Sequence, residues 1–255
     1  MTDSDSTLKT ALVTGAARRI GRAIALDLAK SGWTVAVHYN RSAEEAKVVV
    51  GEIAEMGGKA AVVQADLADE DGASRLIDQT RQAVGPLNCL INNASVFEKD
   101  TPETATKASW DSHMQVNLRA PFQLTQGFVR QLPDGENGNV INLIDQRVWN
   151  VTPFFTSYTV SKVALWGLTQ NLALALAPSI RVNAIGPGPT LASIHQTEEQ
   201  FQRQWSAQPL SRPAMPEEIC RAIQFVLDAP SMTGQMIVLD GGQHLGWAPG
   251  TAEEE

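Results

Sequence analysis

Short apolar runs alternate with longer amphipathic stretches from near the start of the chain almost to its end. Residues 8–13, 34–38, 60–65, 87–91, 139–144, 180–185 and 236–239 are short, rich in Val and Ile, and mostly bounded by Gly, Pro or Asn. That is the pattern of strands. Between them, residues 19–30, 42–56, 73–84, 110–131, 157–177 and 216–227 carry apolar positions at helical spacing. Strand–helix alternation of this kind gives a parallel sheet covered by helices on both faces. The pattern predicts an α/β fold: a single Rossmann-type, doubly wound, seven-stranded parallel sheet.

No linker divides the alternation, so one domain is expected over 8–247, with a flexible N-terminus at 1–7 and an acidic tail at 248–255. The least regular segment is the proline-rich 186–215, with a short helix expected near 197–205. It follows a predicted strand, which places it at the carboxyl edge of the sheet where open α/β folds bind ligands. A loop of that length is expected to act as a substrate loop or lid.

Composition narrows the function. Of 255 residues 43% are hydrophobic and 19% charged, enough for a sizeable core. A net charge of −8, partly from Glu253, Glu254 and Glu255, argues against a nucleic-acid surface. The two cysteines, Cys89 and Cys220, lack metal-ligand spacing, so a zinc site or disulfide framework is not expected and a reducing compartment is. The start has neither a basic nor an apolar signal region, and 18 consecutive apolar residues occur nowhere. A soluble cytoplasmic protein acting on a small molecule is expected, without membrane, nucleic acid or metal.

The first strand runs into Thr14-Gly15-Ala16-Ala17-Arg18-Arg19-Ile20-Gly21 and then a helix. Small residues there let the backbone approach a pyrophosphate, and the helix N-terminus supplies free N–H groups and a positive dipole end. The second strand ends His38-Tyr39-Asn40-Arg41-Ser42, with no acid at its tip to hold a ribose 2′-hydroxyl. Arg41, with Asn40 and Ser42, suits a 2′-phosphate instead, and Arg19 adds a second cation. NADP(H) is the expected cofactor. The alternative is that Arg41 is solvated and Ser42 caps the next helix. Asp66, followed by Leu67, closes the third strand and either accepts from an adenine amino group or caps a helix. Asn92-Asn93-Ala94 closes the fourth strand, its small Ala leaving room for the adenosine half.

Tyr158 and Lys162 stand four apart at the start of a predicted helix and share one face. A nearby ammonium favours the phenolate and lowers the Tyr pKa, which makes the phenol a usable acid and base near neutrality. Asp145 lies 13 residues before Tyr158, at the end of the preceding strand.

Thr14-Gly15…Gly21, Asn92-Asn93-Ala94, Asn117, Tyr158-x-x-x-Lys162, Pro187-Gly188 and Asp240-Gly241-Gly242 together resemble the short-chain dehydrogenase/reductase family over residues 8 to 247. The resemblance implies Tyr158 as acid/base, Lys162 on the nicotinamide ribose, Asn117 holding a water-linked proton relay, and a homotetramer packed through long helices. Pro187-Gly188 would border the nicotinamide, although Thr190 follows Gly188 more closely than in the usual pattern. Arg19 and Ser95 stand where most members have Gly, and Asp145 where most have a catalytic Ser. In these departures the chain resembles pteridine reductases and dihydromonapterin reductases. That likeness implies Phe97 stacking a pterin against the nicotinamide, Ser95 and Arg19 touching cofactor and pterin, and Asp145 pairing with Tyr158 to deliver the proton.

Hydrogen-bonding chemistry agrees. A Ser hydroxyl donates to a ketone oxygen, whereas an ionised Asp only accepts, so Asp145 suits the ring nitrogens of a pterin better than a developing alkoxide. Phe97 offers a flat ring for stacking. Trp149 and Trp205 are candidates for the pocket wall; His113 and His195 have no partner that marks them as catalytic. The expected reaction is NADPH-dependent reduction of a C=N bond in a dihydropterin or dihydrofolate. The alternatives are reduction of a ketone, quinone or 3-oxoacyl group, and a non-catalytic NADP(H)-binding sensor.

Overall fold

The computed structural model describes residues 8–193 and 196–246. His195 and the two terminal segments named above lie outside them. Seven parallel strands form one sheet in the order β3-β2-β1-β4-β5-β6-β7. They are β1 (Thr10–Val13), β2 (Thr34–Tyr39), β3 (Lys59–Gln64), β4 (Cys89–Asn92), β5 (Gly138–Leu143), β6 (Ile180–Pro187) and β7 (Met236–Leu239). The helices are α1 (Arg19–Lys30), α2 (Ala43–Glu55), α3 (Glu70–Val84), α4 (Lys107–Met114), α5 (Ala120–Gln131), α6 (Thr156–Leu176), α7 (Glu198–Ser206) and α8 (Pro216–Asp228).

Strand alternation divides the core into two layers. Ala11 and Val13 of β1, Val35 and Val37 of β2, and Ile91 of β4 pack with α1, α2 and α8. Leu12, Ala36 and Leu90, one residue out of phase, pack with α3, α5 and α6. The chain reverses direction across the sheet between β1 and β4, and the carboxyl ends of those strands open the crevice where such folds bind ligands.

Several elements depart locally from the hydrophobic pattern. The first strand begins at Thr10 rather than at residue 8. The third helix starts at Glu70 rather than 73, because Asp69 caps it by accepting from the N–H groups of Asp71 and Gly72. The long helix expected over 110–131 begins earlier, at Lys107, and is broken by a π-helical turn, Gln115–Arg119, that contains Asn117. Such turns widen a helix locally and favour functional positions. The segment 186–215 is more regular than its prolines imply. Gly186 and Pro187 belong to β6, paired with Val238 and Leu239, and α7 occupies the middle of the segment.

Candidate active site

The turn after β1 is shaped by contacts that only small residues permit. Gly15 has φ +64°, and a Cβ at Gly21 would lie 2.2 Å from the Gly15 carbonyl oxygen. Three side chains hold this turn. Thr14 Oγ accepts from the N–H groups of Asn93 (2.9 Å) and Ala94 (3.0 Å). Asn93 Nδ2 donates to the Thr14 carbonyl at 2.8 Å. His38, buried in β2, accepts from the Gly15 N–H through Nδ1 (3.0 Å), and its Nε2 lies 3.2 Å from the Ala65 carbonyl. A backbone N–H only donates, so His38 is neutral with its proton on Nε2. Burial pushes its pKa down to about 4.

Ile20 and Arg19 follow the turn and line the cleft below it. Arg19 has a positive φ of 55° and donates across the cleft to the carbonyls of Leu191 (3.1 Å) and Ala192 (2.8 Å). Half-burial of its guanidinium lowers its pKa. At the tip of β2, Arg41 is exposed and Ser42, the residue before α2, makes no side-chain capping bond. The capping alternative for Ser42 therefore finds no contact to support it. Asn40 accepts from Gln64 through its carbonyl at 3.1 Å. Arg18, unremarked in the sequence beyond its place in the turn, pairs with Glu45 in the first turn of α2 and so brings a further cation to this edge. Asp66 accepts from the Ala68 N–H at 2.9 Å while Asp69 caps α3, so the helix-capping alternative for Asp66 is corrected. Leu67 is buried.

At the far side of the switch point, the Tyr158 hydroxyl donates to Asp145 Oδ2 at 2.8 Å. The other Asp145 oxygen accepts from the Arg147 N–H at 2.8 Å, which fixes the carboxylate at the head of a 3-10 turn, Gln146–Val148. Lys162, on the face of α6 that carries Tyr158, donates to the Leu143 carbonyl at 2.9 Å. Burial pulls Lys162 down to about 8, and Asp145 opposes that shift. Tyr158 moves well above its ordinary value, first through burial and next through the Asp145 charge, while Arg147 pulls the other way. The phenol is therefore a proton donor; the lowering expected from the Lys162 ammonium does not dominate.

Asn117 is almost wholly buried and spends its amide on structure. Its Oδ1 accepts from Val96 N–H (2.8 Å) and Ser95 Oγ (3.1 Å), and its Nδ2 donates to Val96 O (3.0 Å) and Ser161 Oγ (3.1 Å). The π-helical turn thus ties the segment after β4 to α6. Phe97 lies beyond that tie, with one face stacked on Phe155 (centroids 4.5 Å, interplanar angle 6°) and its ring edge-on to Tyr158 (4.7 Å, 78°). Only part of the flat surface expected of Phe97 is therefore open. His113 is a buried structural group: its Nε2 accepts from Glu98 N–H at 3.2 Å, and Ser157 Oγ lies 2.7 Å from Nδ1.

Arg19, Ser95, Phe97, Asp145, Tyr158, Lys162, Pro187 and Gly188 line one cleft of about 290 Å³, whereas Asn117 lies behind its wall. A Cβ at Gly188 would sit 2.6 Å from Asp240 Cβ, so the loop passes here only with glycine. Thr190 is drawn back onto Gly188 O at 3.0 Å. Neither Trp149 nor Trp205 lines the cleft: Trp149 is half exposed and packs edge-on against His244, and the wall on that side comes from Phe201 and Gln204 of α7. Gln146 and Arg147 of the turn after β5, Gln204 of α7, and Phe155, which backs Phe97, are site residues that sequence spacing does not reveal, because they arrive from different parts of the chain.

The family model of the short chain dehydrogenases matches residues 9–203. The chain belongs to that family and is an oxidoreductase of its fold. The "FolM Alternative dihydrofolate reductase 1" of Brucella canis, solved with NADP, is 48% identical with a TM-score of 0.91, over 94% of this chain and 95% of that one. A short chain dehydrogenase of Burkholderia cenocepacia, also solved with NADP, is 34% identical with a TM-score of 0.86, over 92% of this chain and 97% of that one. The 3-oxoacyl-(acyl-carrier-protein) reductase FabG of Staphylococcus aureus is 34% identical over 242 residues, 93% of this chain and 98% of its own.

Proposed function

We propose that the protein is an NADPH-dependent reductase of a C=N bond in a pterin of the dihydropterin or dihydrofolate type. The observation that carries this reading is the hydrogen bond from Tyr158 to Asp145 in a cleft walled by Phe97. A proton passes from the Tyr158 hydroxyl through the Asp145 carboxylate to a ring nitrogen as hydride reaches the neighbouring ring carbon, and solvent returns a proton to the phenolate. The same carboxylate repels the oxyanion that carbonyl reduction develops. The similarity to the Brucella protein, at 48% identity, supports the same substrate class.

The cradle fits a dinucleotide. Gly15 and Gly21 leave the backbone open at the amino end of α1, and Arg18, Arg41 and Ser42 stand where a 2′-phosphate would lie. Asp66, Leu67, Asn93 and Ala94 would border the adenosine half, and Pro187 and Gly188 the nicotinamide. NADPH, when bound, supplies the hydride. Tyr158 holds the proton to be delivered, Asp145 receives it and presents it to the substrate, and Lys162 sets the charge beneath them. Asn117 keeps Ser95 and Phe97 against α6. Trp110, Phe122, Val129, Val160 and Val163, apolar and partly exposed on α4, α5 and α6, support a homotetramer packed through these helices.

The similarity to the S. aureus reductase favours a second reading, reduction of a 3-oxoacyl or other carbonyl group. One assay separates them: NADPH oxidation with dihydrobiopterin, dihydromonapterin, dihydrofolate and simple ketones, with NADH in parallel. Turnover of pterins preferring NADPH is the expected result. Turnover confined to carbonyls would assign the second reading.

A further inference from the structure

Asp145 brings a negative charge against the one phenol the site uses, while Lys162, the cation of the Tyr-Lys pair, spends its hydrogen bond on the Leu143 carbonyl. Two residues beyond Asp145 stands Arg147, only 6% exposed, whose guanidinium carbon lies 4.8 Å from the centre of the Phe155 ring and 5.5 Å from that of Phe97. A cation over aromatic faces in a dry site is held by the ring quadrupoles and is little screened. Phe155 adopts a left-handed backbone (φ 59°) at the start of α6, and its N–H donates to the Asp100 carbonyl at 2.8 Å. That conformation is uncommon for a bulky residue and persists only where its surroundings fix it. The stack of Phe97 on Phe155, the cation beside it and the edge contact to Tyr158 form one unit.

We propose that Arg147 is a positioning residue for the acid/base pair, its buried guanidinium bracing the Phe97–Phe155 stack against Tyr158 and balancing the charge that Asp145 adds. Among the described residues, four charged or titratable groups stand closest to Tyr158. Asp145 precedes the 3-10 turn and Arg147 lies within it, Lys162 lies 5.7 Å from the phenol ring centre on α6, and His113 of α4 meets the ring edge-on at 6.1 Å. Asp100 lies one residue away, hydrogen-bonded to Ser157. Arg147 is the cation that favours the phenolate here. The same turn therefore carries both charges: its first carboxylate raises the acidity threshold of Tyr158, and its guanidinium brings it back toward the working range.

This inference rests on the reading of Tyr158 as the proton-carrying group, but not on the identity of the substrate, and its test needs no turnover. Tyr39 and Tyr158 are the only tyrosines in the chain. Ultraviolet difference titration of the full chain saturated with NADP+ reads their phenolates, and Tyr158→Phe assigns the two. Arg147→Met is expected to move the Tyr158 titration up by about one pH unit or more, and Arg147→Lys to restore most of it. Arg147→Gln serves if the Met variant does not fold. An unmoved Tyr158 titration in a folded Met or Gln variant overturns the proposal, even if heat stability falls, because packing alone would then explain the residue. A wild-type Tyr158 that stays protonated up to the unfolding limit also overturns it. Absence of pterin turnover with the shift present would leave Arg147 in place and remove only the substrate reading.

Discussion

The hydroxyl of Tyr158 donates to Oδ2 of Asp145 across 2.8 Å, and Oδ1 of the same carboxylate accepts from the Arg147 backbone at the same distance. The carboxyl group is thus oriented by two donors before any substrate arrives, which lowers the reorganisation needed at proton transfer. Asp145→Ser is expected to lower kcat for a dihydropterin by about a hundredfold or more, the usual contribution of a placed general acid. Carbonyl reduction should persist or rise in the same variant. Steady-state kinetics on both substrate types checks the pair of effects, and equal losses on both would argue against a pterin-specific role.

His38 predicts an acid instability with a defined window. Its folded pKa is about 4 against an ordinary 6.5, because burial disfavours the imidazolium. Between those values the unfolded chain binds a proton that the folded chain refuses, so stability is full above about pH 6.5 and falls as pH drops toward 4. The loss amounts to as much as about 3 kcal/mol. Urea unfolding across this range should show it, and His38→Gln should flatten that part of the profile. Parallel profiles for the two proteins would place the effect elsewhere.

Arg41 and Ser42 test the cofactor reading. Removing a charged hydrogen bond to a phosphate costs roughly 1.5–3 kcal/mol. Arg41→Ala should therefore weaken NADPH binding by about tenfold to a hundredfold and leave NADH binding nearly unchanged, measured by fluorescence titration of each nucleotide. Equal weakening of both would mean that Arg41 does not meet the 2′-phosphate.

Asn117→Ala removes four hydrogen bonds that link Ser95 and Val96 to Ser161 of α6, and strands Val96 N–H without its side-chain partner. Each buried group left unpaired costs about 1–3 kcal/mol. A clear fall in unfolding free energy is expected, with kcat falling more than NADPH affinity, since the cradle is built by other residues. Unchanged stability would show that the segment after β4 holds itself.

The ends of the strands were legible because local chemistry decides them. A glycine turn after a buried strand, a Tyr and a Lys one helical turn apart, and period-two and helical apolar patterns depend on neighbours within a few residues. Thr14–Gly21 and Tyr158–Lys162 therefore fall at the crevice where the pattern puts them. Trp149 and Trp205 could not be read in the same way, because whether an indole meets the cleft depends on how the loops after β5 and β6 fold back. The break in the 110–131 helix was not legible either, since buried positions at three- and four-residue spacing (His113, Val116, Asn117, Ala120, Pro121, Leu124) run on through the π-helical turn.

By itself the sequence determined the doubly wound sheet, the cradle after β1 and the Tyr158–Lys162 face, because each follows from residue type and spacing along one element. Only the tertiary structure decided which charges meet. Arg147 reaches Phe97 from 50 residues away, Asp145 is held by its own turn while receiving Tyr158, and Arg19 spans the cleft to Leu191 and Ala192. Charge and stacking act through space and change steeply with burial, and neither distance nor burial between separate loops is written in local order.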